Sequence, residues 1–156
     1  MRKLDKLDAW HVAQDLAFQG YSLTLDTRLS KHFALIDQIR RASLSIPANI
    51  AEGYSLGTTP QFIRGLKIAL GSNTELFSHL CVLRRLELLP TDNLQVAIDL
   101  CSRSISIIIG LIRSLSNHHA SRIPHPDHTD SSSSFVTKNT AAPAKNADGS
   151  AQPFLP

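Results

Sequence analysis

The sequence is short of the features that catalysis, export or membrane insertion would require. No run of about 18 or more uninterrupted apolar residues occurs, so a conventional membrane-spanning helix is not expected. The most apolar stretch, Ile105 to Ile112, is broken by Ser106 and Gly110. Met1-Arg2-Lys3-Leu4 passes directly into Asp5 with no apolar signal region, so export is not expected either. There are only two cysteines, Cys81 and Cys101, each set among leucines and isoleucines in a helical pattern. Such residues read as small buried hydrophobes rather than a disulfide, and a reducing cytoplasm is the expected location. Cys-x-x-Cys pairs, the Glu-x-x-His pairs of di-iron bundles, a glycine-rich phosphate loop and a nucleophile elbow are all missing. No enzyme, metal or cofactor is therefore expected. A recognition-helix signature and an aromatic-rich platform are also missing, which argues against sequence-specific readout of nucleic acid by those routes.

What is present is one domain's worth of amphipathic helix. The chain has 156 residues, 42% of them hydrophobic, and a mean hydropathy of −0.05. Its net charge is +3, but the charge is unevenly placed. Residues 27–90 hold eight Lys and Arg against four acids, a local net of +4. A basic surface there would attract phosphate backbones, although the same residues would also serve as an ordinary solubilising surface. Composition changes near residue 118, where Pro124, Pro126 and the serine run Ser131–Ser134 begin a stretch with few large apolar groups. Residues 1–118 are expected to fold, and 119–156 to remain a disordered Ser/Pro/Ala-rich tail.

Within 1–118 the periodicity predicts four helices and no strand, an all-α, antiparallel up-down four-helix bundle. The fourth helix is the clearest. Leu94, Ile98, Cys101, Ile105, Ile108, Ile112 and Leu115 follow a 4-3-4-3-4-3 spacing, with Pro90-Thr91-Asp92 supplying capping residues before it. Leu100, Ile107 and Leu111 lie off that seam and imply a second covered face. In the third helix Phe62, Leu66, Ala69, Asn73, Leu76, Leu80 and Leu83 form the seam. Thr58-Thr59-Pro60-Gln61 reads as its capping box. The first helix is expected over about 5–25, with Leu7, Trp10, Ala13, Ala17 and Tyr21 near one face. The second is expected from Lys31 to Gly53, with Leu35, Ile39, Ala42, Ile46 and Ile50 inward and Gly53 and Gly57 marking its end.

The second helix carries more than a plain bundle needs. Pro47 falls in its interior, where it removes a backbone hydrogen bond at a cost of about 3 kcal/mol. Gln38, Arg41, Ser45, Asn49 and Glu52 recur at 3-4-4-3 intervals and share one face. Ser72, Glu75 and His79 form a matching polar stripe on the third helix. Two readings stand side by side. The stripes can meet as a structural network of Gln38, Arg41, Ser45, Asn49, Glu52 and Glu75, with Arg41 against Glu52 or Glu75. Alternatively Glu52, Glu75, His79 and Arg41 can form a ligand or catalytic site.

The block Gln38-Ile-Arg-Arg-Ala-Ser-Leu-Ser-Ile-Pro-Ala-Asn-Ile-Ala-Glu-Gly53 resembles the signature of the proteins encoded within intervening sequences of bacterial 23S ribosomal RNA genes. Leu7-Asp-Ala-Trp10, Gln61-Phe62, Ile68-Ala-Leu-Gly-Ser72 and Glu75-Leu76 extend the resemblance over roughly residues 4–90. The resemblance implies an antiparallel four-helix bundle and ring-shaped homopentamers in related members, and no enzymatic activity is established for the family it points to. A related branch resembles the accessory protein of diversity-generating retroelements, a basic pentamer that binds a reverse transcriptase and its nucleic acid. The sequence departs from the family pattern in three places. Leu56 stands where an arginine is common, Thr58-Thr-Pro-Gln61 replaces a Ser-x-x-Glu box, and Ala34 replaces a glycine.

The expected function is that of a non-catalytic homo-oligomer, a pentamer by resemblance, that binds RNA or DNA through a basic surface. Arg40, Arg64, Lys67, Arg84 and Arg85 are the candidate phosphate contacts, with Arg40 outward while Arg41 joins the polar stripe. The alternative is a protein-interaction adaptor that docks a reverse transcriptase or another enzyme. No membrane partner is expected. His118, His119, His125 and His128 at and beyond the domain boundary are read as incidental rather than as a metal site.

Overall fold

The structure, a computed structural model, describes residues 3–121. Four helices account for most of them: α1 (Asp8–Leu23), α2 (Phe33–Ser55), α3 (Thr59–Arg85) and α4 (Thr91–Ala120). Single 3-10 turns at Leu4–Lys6 and Thr27–Leu29 lead into α1 and join α1 to α2. Each helix packs on its sequence neighbours, and α4 closes the square against α1. The α2–α3 contact is the most extensive. No strand occurs among the described residues.

The apolar seams become the core. Leu16, Leu29, Ile39, Ile46, Ile50, Leu66, Leu76, Leu80, Leu83, Leu94 and Ile108 are fully enclosed, each stabilising the fold by about 1.5–3 kcal/mol relative to exposure. Pro47 is buried within α2, which runs through it unbroken. Thr58 is the N-cap of α3, its hydroxyl accepting from the Gln61 backbone N–H at 3.4 Å and donating to Gln61 Oε1 at 2.6 Å. The return bond of the expected capping box thus runs between side chains rather than back to the backbone.

Several expectations need correction. Gly53 does not end α2; the helix continues to Ser55, and Gly57, at φ 81°, makes the turn. Tyr21 lies outside the core, because the buried stripe of α1 runs through Ala9, Val12, Ala13, Leu16, Ala17, Gly20 and Leu23. Pro90 itself caps α4, with no side-chain hydrogen bond, and Thr91 and Asp92 belong to its first turn. The fourth helix runs to Ala120, past the expected boundary, and the expected tail from residue 122 onward lies outside the described residues.

Helix α4 also carries a signal that the search for an unbroken apolar run passes over. By length and composition it is apolar enough to cross a membrane, with a mean hydropathy of 1.6 over its best window. In the bundle it is a core helix through Leu94, Ala97, Ile98, Cys101, Ser104 and Ile108. Ile105, Ile112 and Leu115 are only half-buried. The 30 residues of α4 reach about 45 Å at 1.5 Å per residue, against about 24 Å for the 16 of α1. The last turns of α4 therefore outrun their neighbour.

Candidate functional site

The α2–α3 seam gathers most of the polar residues that periodicity singled out. It starts from two glycines. A Cβ on Gly65 would lie 2.6 Å from the Asn49 carbonyl oxygen and 2.8 Å from the Gly53 Cα. The two backbones therefore touch at a point where neither residue can carry a side chain. Above this crossing, Ser45 and Ser72 share a hydrogen bond at 2.8 Å, and Asn49 Nδ2 donates to the Ser45 carbonyl at 2.8 Å and to its hydroxyl at 2.9 Å. Further along, Arg41 donates to Gln38 Oε1 and lies 3.7 Å from Glu75 Oε1. Glu75 is 3.6 Å from His79 Nε2, a pair that is ionic only when the imidazole is protonated.

Of the two partners proposed for Arg41, the structure provides Glu75. Their side chains are 64% and 43% exposed, so the pair sits in solvent and contributes about 0–1 kcal/mol. Glu52 is not part of this chain of contacts. It lies nearer the α2–α3 turn and lines a groove of about 170 Å³ with Asn49, Gly53, Leu56, Gln61, Arg64, Gly65 and Ile68.

The five candidate phosphate contacts do not form one patch. Arg40 is half-buried and held on the α1 side. Its Nε donates to Thr24 Oγ1 at 2.8 Å, and its guanidinium sits 4.9 Å from the centre of the Tyr21 ring. Arg64, Lys67, Arg84 and Arg85 are all exposed on α3 and form no ion pair among the described residues. Lys67 and Arg84 are about 26 Å apart along the helix axis, so these four residues form two anchor points.

Sequence reasoning missed other features. Asn73 is placed correctly in the α3 seam, but it is fully buried, and neither its amide nitrogen nor its oxygen has a hydrogen-bond partner among the described residues. Ser43 is enclosed where α2 meets Gly20 of α1, and its hydroxyl also has no partner among the described residues. Asp26 caps the turn after α1 by accepting from the Arg28 backbone N–H at 2.9 Å, and its carboxylate also accepts from the Arg28 guanidinium at 2.7 and 2.9 Å. The side-chain bonds from Arg28, and then its backbone N–H, hold the carboxyl down at about 2. Burial pushes the Cys101 thiol up to about 12, with Cys81 nearby as a smaller cause, and both cysteines are free. No cluster of three or more metal-ligating side chains occurs among the described residues. Phe18, Leu25 and Phe33, around the α1–α2 connection, are 65–77% exposed, which periodicity on single helices does not reveal.

Comparison with known proteins agrees with the architecture. Residues 5–110 match the family described as 23S rRNA-intervening sequence protein. A solved structure from Bacteroides thetaiotaomicron, described as a protein with unknown function from the S23 ribosomal protein family, is 25% identical. It superposes with a TM-score of 0.62 over 67% of this chain and 98% of that one. No curated protein matches the chain.

Proposed function

The chain belongs to the 23S rRNA-intervening sequence protein family, and on that premise we propose that it is a non-catalytic, oligomeric accessory protein that binds RNA or DNA by its phosphate backbone. The observation that carries this reading is the state of α3. Arg64, Lys67, Arg84 and Arg85 are exposed and unpaired along it, while its only acid, Glu75, faces Arg41. Two cationic anchors about 26 Å apart suit a polyanion lying alongside the helix better than a small anion bound at one point. Arg40 is left out of the contact set because Thr24 and Tyr21 already hold its guanidinium. A homopentamer, the assembly implied by the family resemblance, would repeat the α3 anchors five times and turn weak contacts into avid binding.

The test is fluorescence anisotropy of the full chain with structured ribosomal RNA at two salt concentrations, with light scattering to give the mass of the assembly. Reversing all four α3 charges should reduce the slope of log K against log salt by about 3–4 for each protomer in contact, close to one unit per phosphate contact. Absence of binding at low salt by folded protein would overturn the reading. A second reading, an adaptor that docks a reverse transcriptase or another enzyme, is favoured by the exposed Phe18, Leu25 and Phe33. A partner complex insensitive both to salt and to the α3 reversals would select it.

A further inference from the structure

The groove between α2 and α3 holds two opposite charges that do not close on each other. Glu52 on α2 and Arg64 on α3 both line it and both are exposed, yet neither side chain has a hydrogen bond or ion pair with any described residue. Asn49 spends its amide nitrogen on Ser45, which leaves its carbonyl oxygen as an acceptor in the same lining. Gly53 and Gly65 contribute bare backbone, and Leu56 and Ile68, about half exposed, add apolar surface. The groove has a volume of about 170 Å³, and an apolar cavity of about 150 Å³ already holds a benzene ring. That is room for one flat heterocycle and too little for a duplex.

We infer that this groove takes the base of an unpaired guanine in RNA, with the Glu52 carboxylate and the Arg64 guanidinium reading its two polar edges. The inference rests on the nucleic-acid reading given above and adds a ligand to it. Guanine places N1–H and the N2 amino group side by side, so one carboxylate accepts from both. Its O6 and N7 lie next to each other and together accept from one guanidinium. Adenine sets a donor beside an acceptor on the corresponding edge, which a carboxylate cannot satisfy. Uracil sets a single N–H between two carbonyls, and cytosine offers the carboxylate one amino group only. Apolar contact from Leu56 and Ile68 suits the ring faces, and Lys67, three residues on from Arg64 along the exposed side of α3, is available to the adjoining phosphate. Arg64 is the cation among the residues that line the groove, and Glu52 is the anion.

The experiment is anisotropy of the full chain with a set of hairpin RNAs that differ at one loop position: guanosine, inosine, adenosine or cytidine. Inosine lacks only the N2 amino group and should bind about ten- to a hundredfold more weakly than guanosine. Glu52→Gln should lose a similar factor for guanosine while binding inosine almost as before, so that the preference collapses. Glu52 is exposed and its side chain is unpaired, so the variant should keep the helical circular dichroism of the parent. Equal, salt-sensitive binding of all four hairpins would overturn the guanine inference and leave backbone binding standing. If no hairpin binds, backbone binding fails, and a titration with GMP against AMP decides the groove alone. Shifts of the Gly53 and Gly65 amide resonances with GMP only would support it, and no shift with either nucleotide would overturn it.

Discussion

Substituting Gly65 by alanine tests the central claim about how α2 and α3 meet. By helix propensity alone the change should stabilise, since glycine in a helix interior costs about 1 kcal/mol relative to alanine. The structure reverses the sign. The added methyl would fall 2.6 Å from the Asn49 carbonyl oxygen, 2.8 Å from the Gly53 Cα and 3.2 Å from the Gly53 nitrogen, all of them backbone atoms that no rotamer change can clear. Two helices must separate to admit it, and overpacking of this kind costs about 1–3 kcal/mol, often more where backbone must move. The net expectation is a loss of about 1–2 kcal/mol, read as a fall in Tm of roughly 3–8 °C. Gly71→Ala is the internal control, six residues further along α3. Its Cβ would meet nothing within 4 Å, so the propensity gain should survive at about 0.5–1 kcal/mol. Thermal melts of both variants by circular dichroism give opposite shifts if the crossing is as described. Equal shifts, or a Gly65→Ala protein more stable than the parent, would refute the backbone contact.

Asn73→Leu should raise stability by about 1–3 kcal/mol in chemical denaturation, since it removes a buried amide with no hydrogen-bond partner; destabilisation would show that the amide is satisfied, for instance by an ordered water. Arg40→Ala should cost about 1–2 kcal/mol through loss of the Thr24 bond and the Tyr21 contact, and it should leave the salt slope of RNA binding unchanged. With a thiol reagent at neutral pH, Cys81 should react in the folded protein while Cys101, with its thiol held at about 12, waits for unfolding. Asp26 is depressed in the folded state from 3.8 to about 2, so its contribution to stability is complete above about pH 4 and is lost as pH falls towards 2. Carboxyl NMR titration should place its midpoint near 2, and Arg28→Ala should return it towards 3.8.

The fold was legible because it depends on repetition. The seams Ile39–Ala42–Ile46–Ile50 and Phe62–Leu66–Ala69–Leu76–Leu80–Leu83 recur often enough that one exception, Asn73, did not obscure the period. Thr58 as a cap was readable for the same local reason. Less legible were features that depend on two elements at once. Gly53 looked like a stop because glycine commonly follows a helix, and only its meeting with Gly65 shows that it is a contact inside one. Arg40 looked free because Thr24 and Tyr21 are distant in sequence. The glycine at position 65 was a signal that could have been used, since a glycine in a strongly periodic helix needs a packing reason.

The same two glycines connect fold and candidate site. Signature residues Asn49, Glu52 and Gly53 sit on successive positions of α2 that face the crossing, and Gln61, Arg64, Gly65 and Ile68 face it from α3. With side chains at 53 and 65, the helices would have to stand further apart. Without them the backbones meet, and a groove lined by Glu52 on one helix and Arg64 on the other lies beside the contact. The exposed Arg41–Glu75 pair along the same seam shows that opposite charges on α2 and α3 do approach to 3.7 Å elsewhere. The contrast between that closed pair and the open one is the strongest reason to look for the ligand at the glycine crossing rather than along the polar stripe above it.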